Sequence, residues 1–165
     1  MSYHPRLRSK APSHMKIIDI LSPRAVKVPL VSTTKRGAID ELVDALADAG
    51  LIGDAAALKR VVWERESQRS TGIGEGLAIP HGKCPTIGRL VMAVGRPAHP
   101  IDFDSIDRKP VRLVVLLASP PDRTSDHIQA LGRISRLMTN AQFREATYNA
   151  PTTESLFALF EKAEQ

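Results

Sequence analysis

The stretch 111-VRLVVLLAS-119 decides the architecture. Every residue from Leu113 to Ala118 is apolar. A strand with one wet face alternates apolar and polar positions; this one does not, so both of its faces are covered. Two more short apolar runs bounded by Gly and Pro lie upstream, 76-GLAIP-80 and 89-RLVMAVGR-96, and they read as strands. The connection 97-PAHPIDFDSIDRKP-110 is a polar loop with room for a hairpin. Further upstream, Val26 to Val31 reads as a strand or extended segment, weakened by Pro29.

Helical periodicity surrounds this block. Thr33 or Thr34 can cap a helix whose stripe is Ile39, Leu42, Val43 and Leu46, and Gly50 stops it. Asp54 starts a second helix through about Ser67, with Leu58, Val61 and Val62 inward. Trp63 lies beside that stripe and reads as packing. After the long strand, Ile128, Leu131, Ile134 and Met138 give a third stripe, capped by Thr124 or Ser125. Short helices are expected over Ala141–Thr147 and Thr153–Lys162. Helices at both ends of a strand block predict an α+β domain with helices covering a mixed sheet.

Composition narrows the class. The 165 residues suit one domain, and 42% apolar with 25% charged residues is ordinary for a soluble fold. No run of 18 apolar residues predicts a membrane span, and no segment has the pattern of a signal peptide. Cys84 is the one cysteine, so no internal disulfide can form, which agrees with a cytoplasmic setting. The net charge of +5 sits mostly in residues 1–16, which carry Arg6, Arg8, Lys10 and Lys16 and no acid. Removing those four from the 23 basic residues leaves 19 against 18 acids, too even for a nucleic-acid-binding body. Residues 1–16 read as a disordered basic tail or an expression scar, with the domain spanning 17–165.

The segment 70-STGIGEGLAIPHGK-83 holds the chemistry. Gly72, Gly74 and Gly76 match neither G-x-G-x-x-G nor the phosphate loop, and Lys83 is followed by Cys84 instead of Ser or Thr. The glycines read instead as a tight turn that leaves room for another molecule to approach. Pro80 has no N–H, so the strand is expected to end or to lie at an edge there, which puts His81 at a strand end. His81 reads either as a satisfied structural histidine or as a neutral nucleophile and proton carrier. His127 falls in the first turn of the third helix, where free N–H groups suit an anion and disfavour a charged imidazole. It reads equally as a histidine paired with backbone. Arg65, in "WERES", is shaped to clamp phosphoryl oxygens, or is one residue of a solvated helix face.

The run from Glu66 to Gly82, with Ile73-Gly74 and then Leu77-Ala78-Ile79-Pro80-His81-Gly82, resembles the phosphohistidine signature of the mannitol/fructose-type EIIA domains of the bacterial phosphotransferase system. The wording "STGIG-x-G-x-AIPHGK" is most similar to the nitrogen-related branch, and "DHIQAL" fits the family's second histidine block. The resemblance covers about residue 17 to the C-terminus. It implies a three-layer α/β/α sandwich with a mixed sheet, and a cytoplasmic phosphoryl carrier that needs no cofactor or metal. His81 would be the phosphoacceptor, His127 the second active-site histidine and Arg65 the phosphoryl-stabilising arginine. The donor would be a phosphorylated HPr-like phosphocarrier, and the targets regulated proteins such as transporters or kinases.

Three other expectations stand beside this one. A sugar-specific EIIA for fructose or mannitol would pass the group to an EIIB; the chain contains no EIIB or EIIC segment, which leans toward regulation. A binding module without phosphoryl chemistry is a second. A metal site of His81, His127 and Asp126 is a third, short of the three or four convergent ligands zinc needs. Glu75 departs from the branch, which often has Asn there, and would put a negative charge beside the site. Cys84 reads as a packing residue or a redox-sensitive neighbour of His81.

Overall fold

A computed structural model describes residues 15–164 of the chain. The reading of residues 1–14 as a tail therefore lies outside the described residues. In chain order the elements are α1 (Ile17–Ile20), β1 (Leu21–Leu30), α2 (Lys35–Asp48), α3 (Ala55–Gln68), β2 (Gly72–Gly74), β3 (Leu77–Ala78), β4 (His81–Lys83), β5 (Val91–Pro97), β6 (Leu113–Ser119), α4 (Thr124–Met138), α5 (Ala141–Tyr148) and α6 (Thr153–Ala163).

The apolar run 113–118 is the middle of the sheet, and its residues are sealed from solvent. Strand geometry sends successive side chains to opposite faces. Val114, Leu116 and Ala118 accordingly join the core under α2 and α3, together with Ile39, Leu42, Leu46, Leu58 and Val62. Leu113, Val115 and Leu117 join the core under α4, α5 and α6, with Ala130, Ile134, Tyr148, Leu156 and Phe160. Burying a side chain such as Leu116 in this way contributes roughly 1.5–3 kcal/mol. The result is a three-layer α/β/α sandwich.

The sheet order is β1-β5-β6-β3-β2. It is mixed: β1 and β5 run parallel, β5 and β6 antiparallel, and β3 is parallel to β6 but antiparallel to β2. The expected strand end at Pro80 is present, since β3 stops at Ala78, but the register carries on beyond it. Leu77 pairs with Leu113 and Ala78 with Val114, and His81 pairs with Leu117 at the same offset. β3 and β4 are thus two pieces of one strand along β6. Pro80 interrupts it because it has no N–H to give, yet its carbonyl still accepts from Leu117 N at 3.0 Å.

Other expectations shift by a residue or an element. β1 begins at Leu21, and Pro29 is tolerated because this strand lies at the sheet edge. Thr34 caps α2 by accepting from Gly37 N, and Asp54 caps α3 by accepting from Ala57 N. α4 has no side-chain cap: Arg123 stands at the N-cap, and Thr124 Oγ1 accepts instead from Lys83 Nζ. Its buried stripe is His127, Ala130, Ile134 and Met138, whereas Ile128 is 61% exposed. In the 97–110 connection, one antiparallel bridge, Ile101 to Val111, stands where a hairpin was admitted.

Candidate functional site

Pairing of β4 with β6 sets His81 and its neighbours in alternation. Gly82 faces α3, where an added Cβ would stand 2.7 Å from Val61 Cγ1 and 3.3 Å from Val62 Cγ2. The helix packs directly on the strand backbone there. His81 therefore takes the opposite face, toward α4, where the ring of His127 lies with its centroid 5.3 Å away at an interplanar angle of 63°. The chain turns from β6 into α4 through Ser119 and Pro120, which brings His127 back over the strand it has just left.

The protons on the two rings follow from their partners. His81 Nδ1 lies 2.7 Å from the carbonyl of Ile79. A carbonyl only accepts, so Nδ1 carries the proton and Nε2 keeps its lone pair. That carbonyl is available because β2 has ended: Ile79 N still donates to Thr71 O, and no backbone donor reaches Ile79 O among the described residues. His127 is 4% exposed, and its Nδ1 lies 2.7 Å from Ser119 Oγ. The buried Ser119 hydroxyl has no other acceptor among the described residues, so it donates to Nδ1 and leaves the His127 proton on Nε2.

Both imidazoles are held below their ordinary pKa. Burial lowers His81 first, and Arg65 and Lys83 add to it against the opposing pull of the Ile79 carbonyl. Burial, then His81 and Lys83, push His127 down to about 4. Both rings are neutral at pH 7.

His81 opens into a cavity of about 290 Å3 that is also lined by Arg65, Arg69, Thr71, Ile73, Ile106 and Leu131. Arg65 projects from the last turn of α3, and its Nη1 donates to the Arg69 carbonyl at 2.9 Å. Glu66 underlies this corner. Its buried carboxylate accepts from Thr71 N at 2.9 Å and from Thr71 Oγ1 at 2.6 Å, and pairs with Lys35 Nζ at 3.3 Å. It pins the end of α3 to the strand that follows.

The structure sets the ring of His81 against that of His127 and places Arg65 with His81 in one cavity lining. Sequence reasoning did not reach Lys83 as a neighbour of both rings, nor Ser119, Thr71, Arg69 or Leu131. The alternation of Lys83 with His81 along an extended chain is the one local signal among them. Asp126 does not join the histidines; its carboxylate lies 3.4 Å from Arg123 Nη1. Among the described residues no three His, Cys, Asp or Glu side chains gather as a metal site. Cys84 is buried, with Sγ 3.2 Å from Thr86 Oγ1.

The glycines also need correcting as an open docking surface. Ser105 fills the space beside Gly72, and the Tyr148 hydroxyl lies 2.8 Å from where a Gly76 Cβ would stand. Gly74, Glu75 and Gly76 turn the β2–β3 hairpin with φ of 102°, 56° and 84°. The hairpin tip is held by Asp107, which accepts from Glu75 N at 2.9 Å, and by Tyr148 OH, which donates to Glu75 O. Glu75 does not line the cavity of His81 but a neighbouring groove with Met138 and Arg144.

The family model described as "Phosphoenolpyruvate-dependent sugar phosphotransferase system, EIIA 2" matches residues 19–163. The chain belongs to this EIIA family. Its relatives come from two branches. A nitrogen regulatory protein of Bradyrhizobium diazoefficiens is 37% identical over 149 residues, 88% of this chain and 96% of that one. The fructose-specific EIIABC component of Bacillus subtilis is 36% identical over 142 residues, 86% of this chain. The EIIA spans only 22% of that longer protein. The crystal structure of nitrogen regulatory protein IIA-Ntr from Neisseria meningitidis matches with a TM-score of 0.77 at 26% identity, covering 86% of this chain and 97% of that one. No helix of the described residues is long and apolar enough to cross a membrane.

Proposed function

We propose that this EIIA, as a domain of residues 17–165, accepts a phosphoryl group on Nε2 of His81 from a phosphorylated HPr-like phosphocarrier, works in the cytoplasm, and signals to regulated target proteins. The observation that carries this reading is the bond from His81 Nδ1 to the Ile79 carbonyl, which leaves Nε2 as a lone pair beside a cavity lined by arginines.

The Nε2 lone pair attacks the donor's phosphorus. The new N–P bond forms as the donor's P–N bond breaks, and that electron pair returns to the donor's ring nitrogen. Positive charge developing on the His81 ring spreads to Nδ1–H, which the Ile79 carbonyl stabilises. The transferring group is metaphosphate-like in most analyses, so positioning and charge do most of the work. Arg65 and the Nε2–H of His127 supply donors to its oxygens, each preorganised by its own partner, the Arg69 carbonyl and the Ser119 hydroxyl. A neutral His127 donates without repelling the positive charge that develops on His81.

Incubation with phosphorylated carrier should give acid-labile label in the wild type and none in His81→Ala, and His127→Ala should label more slowly by about 10²-fold. Label retained on His81→Ala would overturn the assignment.

The near-equal identity to fructose-specific and nitrogen regulatory relatives supports a second reading, a sugar-specific EIIA that passes the group to an EIIB. Transfer from labelled protein to a fructose- or mannitol-type EIIB would favour it; label that stays on His81 in its presence favours regulation.

A further inference from the structure

Arg69 ends α3, where the backbone becomes extended at φ −167° and ψ 133°. Its carbonyl holds Arg65, but its own guanidinium forms no ion pair or hydrogen bond among the described residues and lines the mouth of the His81 cavity. The side chains that line that cavity include no carboxylate. Glu66 is buried under Lys35 and Thr71, and Asp104 pairs with Lys35 at 3.2 Å. Asp107 accepts from the N–H groups of Glu75 and Lys109, and Asp126 faces Arg123. The same mouth carries two exposed apolar side chains, Ile73 at 47% and Ile106 at 72%. A surface of this kind offers an apolar contact and the positive charges of Arg65 and Arg69, neither of them paired with a carboxylate among the described residues.

Charges on the rim of an interface act on encounter and on partner choice more than on chemistry, and like charges brought together select against the wrong partner. We infer that Arg69 selects a carrier whose docking face bears carboxylates beside its histidine, with apolar side chains that seat on Ile73 and Ile106. The inference rests on the phosphoryl-carrier reading and names the partner chemistry of that same site.

The test is transfer from a phosphorylated HPr-like carrier and from a variant of that carrier whose flanking acids are changed to amides, measured at about 50 and about 300 mM salt. For wild type with the acidic carrier, kcat/KM should fall about tenfold with salt. Arg69→Glu should lower the low-salt kcat/KM about tenfold, leave Tm in place, and flatten the salt dependence, whereas Arg69→Lys should keep most of the rate. With the amide carrier the wild type and Arg69→Glu should converge. Equal kcat/KM for Arg69→Glu and wild type, with His81→Ala unlabelled, would overturn the inference and leave the carrier reading intact. If wild type takes no phosphoryl group from either carrier, the carrier reading fails, and binding of unphosphorylated acidic carrier followed by NMR decides the rim separately. There, equal affinity of wild type and Arg69→Glu would overturn it, and weaker binding by Arg69→Glu would support it.

Discussion

His81 and His127 are neutral bases kept neutral by burial, and this sets two pH dependences with one cause. Acceptance of a phosphoryl group needs the bare Nε2 of His81, whose pKa lies below the ordinary 6.5. In the proposed carrier role, the labelling rate should therefore fall on acidification at a lower pH than a free imidazole would impose, as read from single-turnover labelling. Stability follows the same sign. Above 6.5 the imidazole of His127 is neutral whether the chain is folded or not. Below it the unfolded chain takes up a proton that the folded one refuses until about 4, so stability falls across that window. Its size is at most roughly 3 kcal/mol, and His127→Gln should flatten the slope in urea denaturation between about pH 7 and pH 5. Glu75 makes a separate point at this scale. It is held at φ 56°, a left-handed conformation in which Asn and Gly are far more at ease. Glu75→Gly should stabilise the fold by about 1 kcal/mol, a rise in Tm of about 2–4 °C, without changing labelling of His81. His81, His127 and Arg65 stood out in the sequence through the resemblance to the EIIA signature; residue type and placement alone left each open to a structural role. Lys83, Ser119 and Thr71 did not stand out, because their closeness to the rings depends on the register of β4 against β6 and on the turn into α4. Periodicity reports a face, not a register.

Among the elements, the broken strand β3–β4 is the one on which the site hangs. Pro80 read correctly as an interruption but not as one the strand survives, since pairing to a partner 36 positions along the chain is invisible locally. The stripe of α4 misled by one position for a related reason. Ile128 is the more apolar residue, yet the geometry that lets His127 reach Ser119 turns Ile128 outward. Close packing of α3 on Gly82 ties the two halves of the site, because α3 also carries Arg65. Gly82→Ala should push the helix away and cost about 1–3 kcal/mol by overpacking. It should also slow labelling of a neighbouring His81 that is itself unaltered, because Arg65 moves with the helix. Denaturation and labelling of the same preparation check both effects, and a variant with lower stability but full labelling rate would detach Arg65 from the chemistry.

Across the whole molecule, the apolar run 111–119 gave away the layering, since a strand without alternation needs cover on both faces. Strand order and the parallel or antiparallel sense of each pair were beyond the sequence, because they are settled by contacts between distant segments. The two cores meet through the sheet, whose strands β1, β3, β5 and β6 each send side chains to both. Opening either layer strips one face of these strands, so local breathing should stay at the rim, in the tip of the β2–β3 hairpin and the loop around Ile106. Leu117 reaches back to Pro80, one residue before His81. Amide hydrogen exchange should therefore find Val115 and Leu117 among the slowest sites, opening only with global unfolding. Exchange at Leu117 as fast as at Ile106 would contradict this. In the proposed carrier role, a histidine anchored to the slowest-opening strand would keep its shape through the interval between receiving a charge and giving it up, so that the lifetime of a stored signal would be governed by encounter with a partner instead of by motion of its own scaffold.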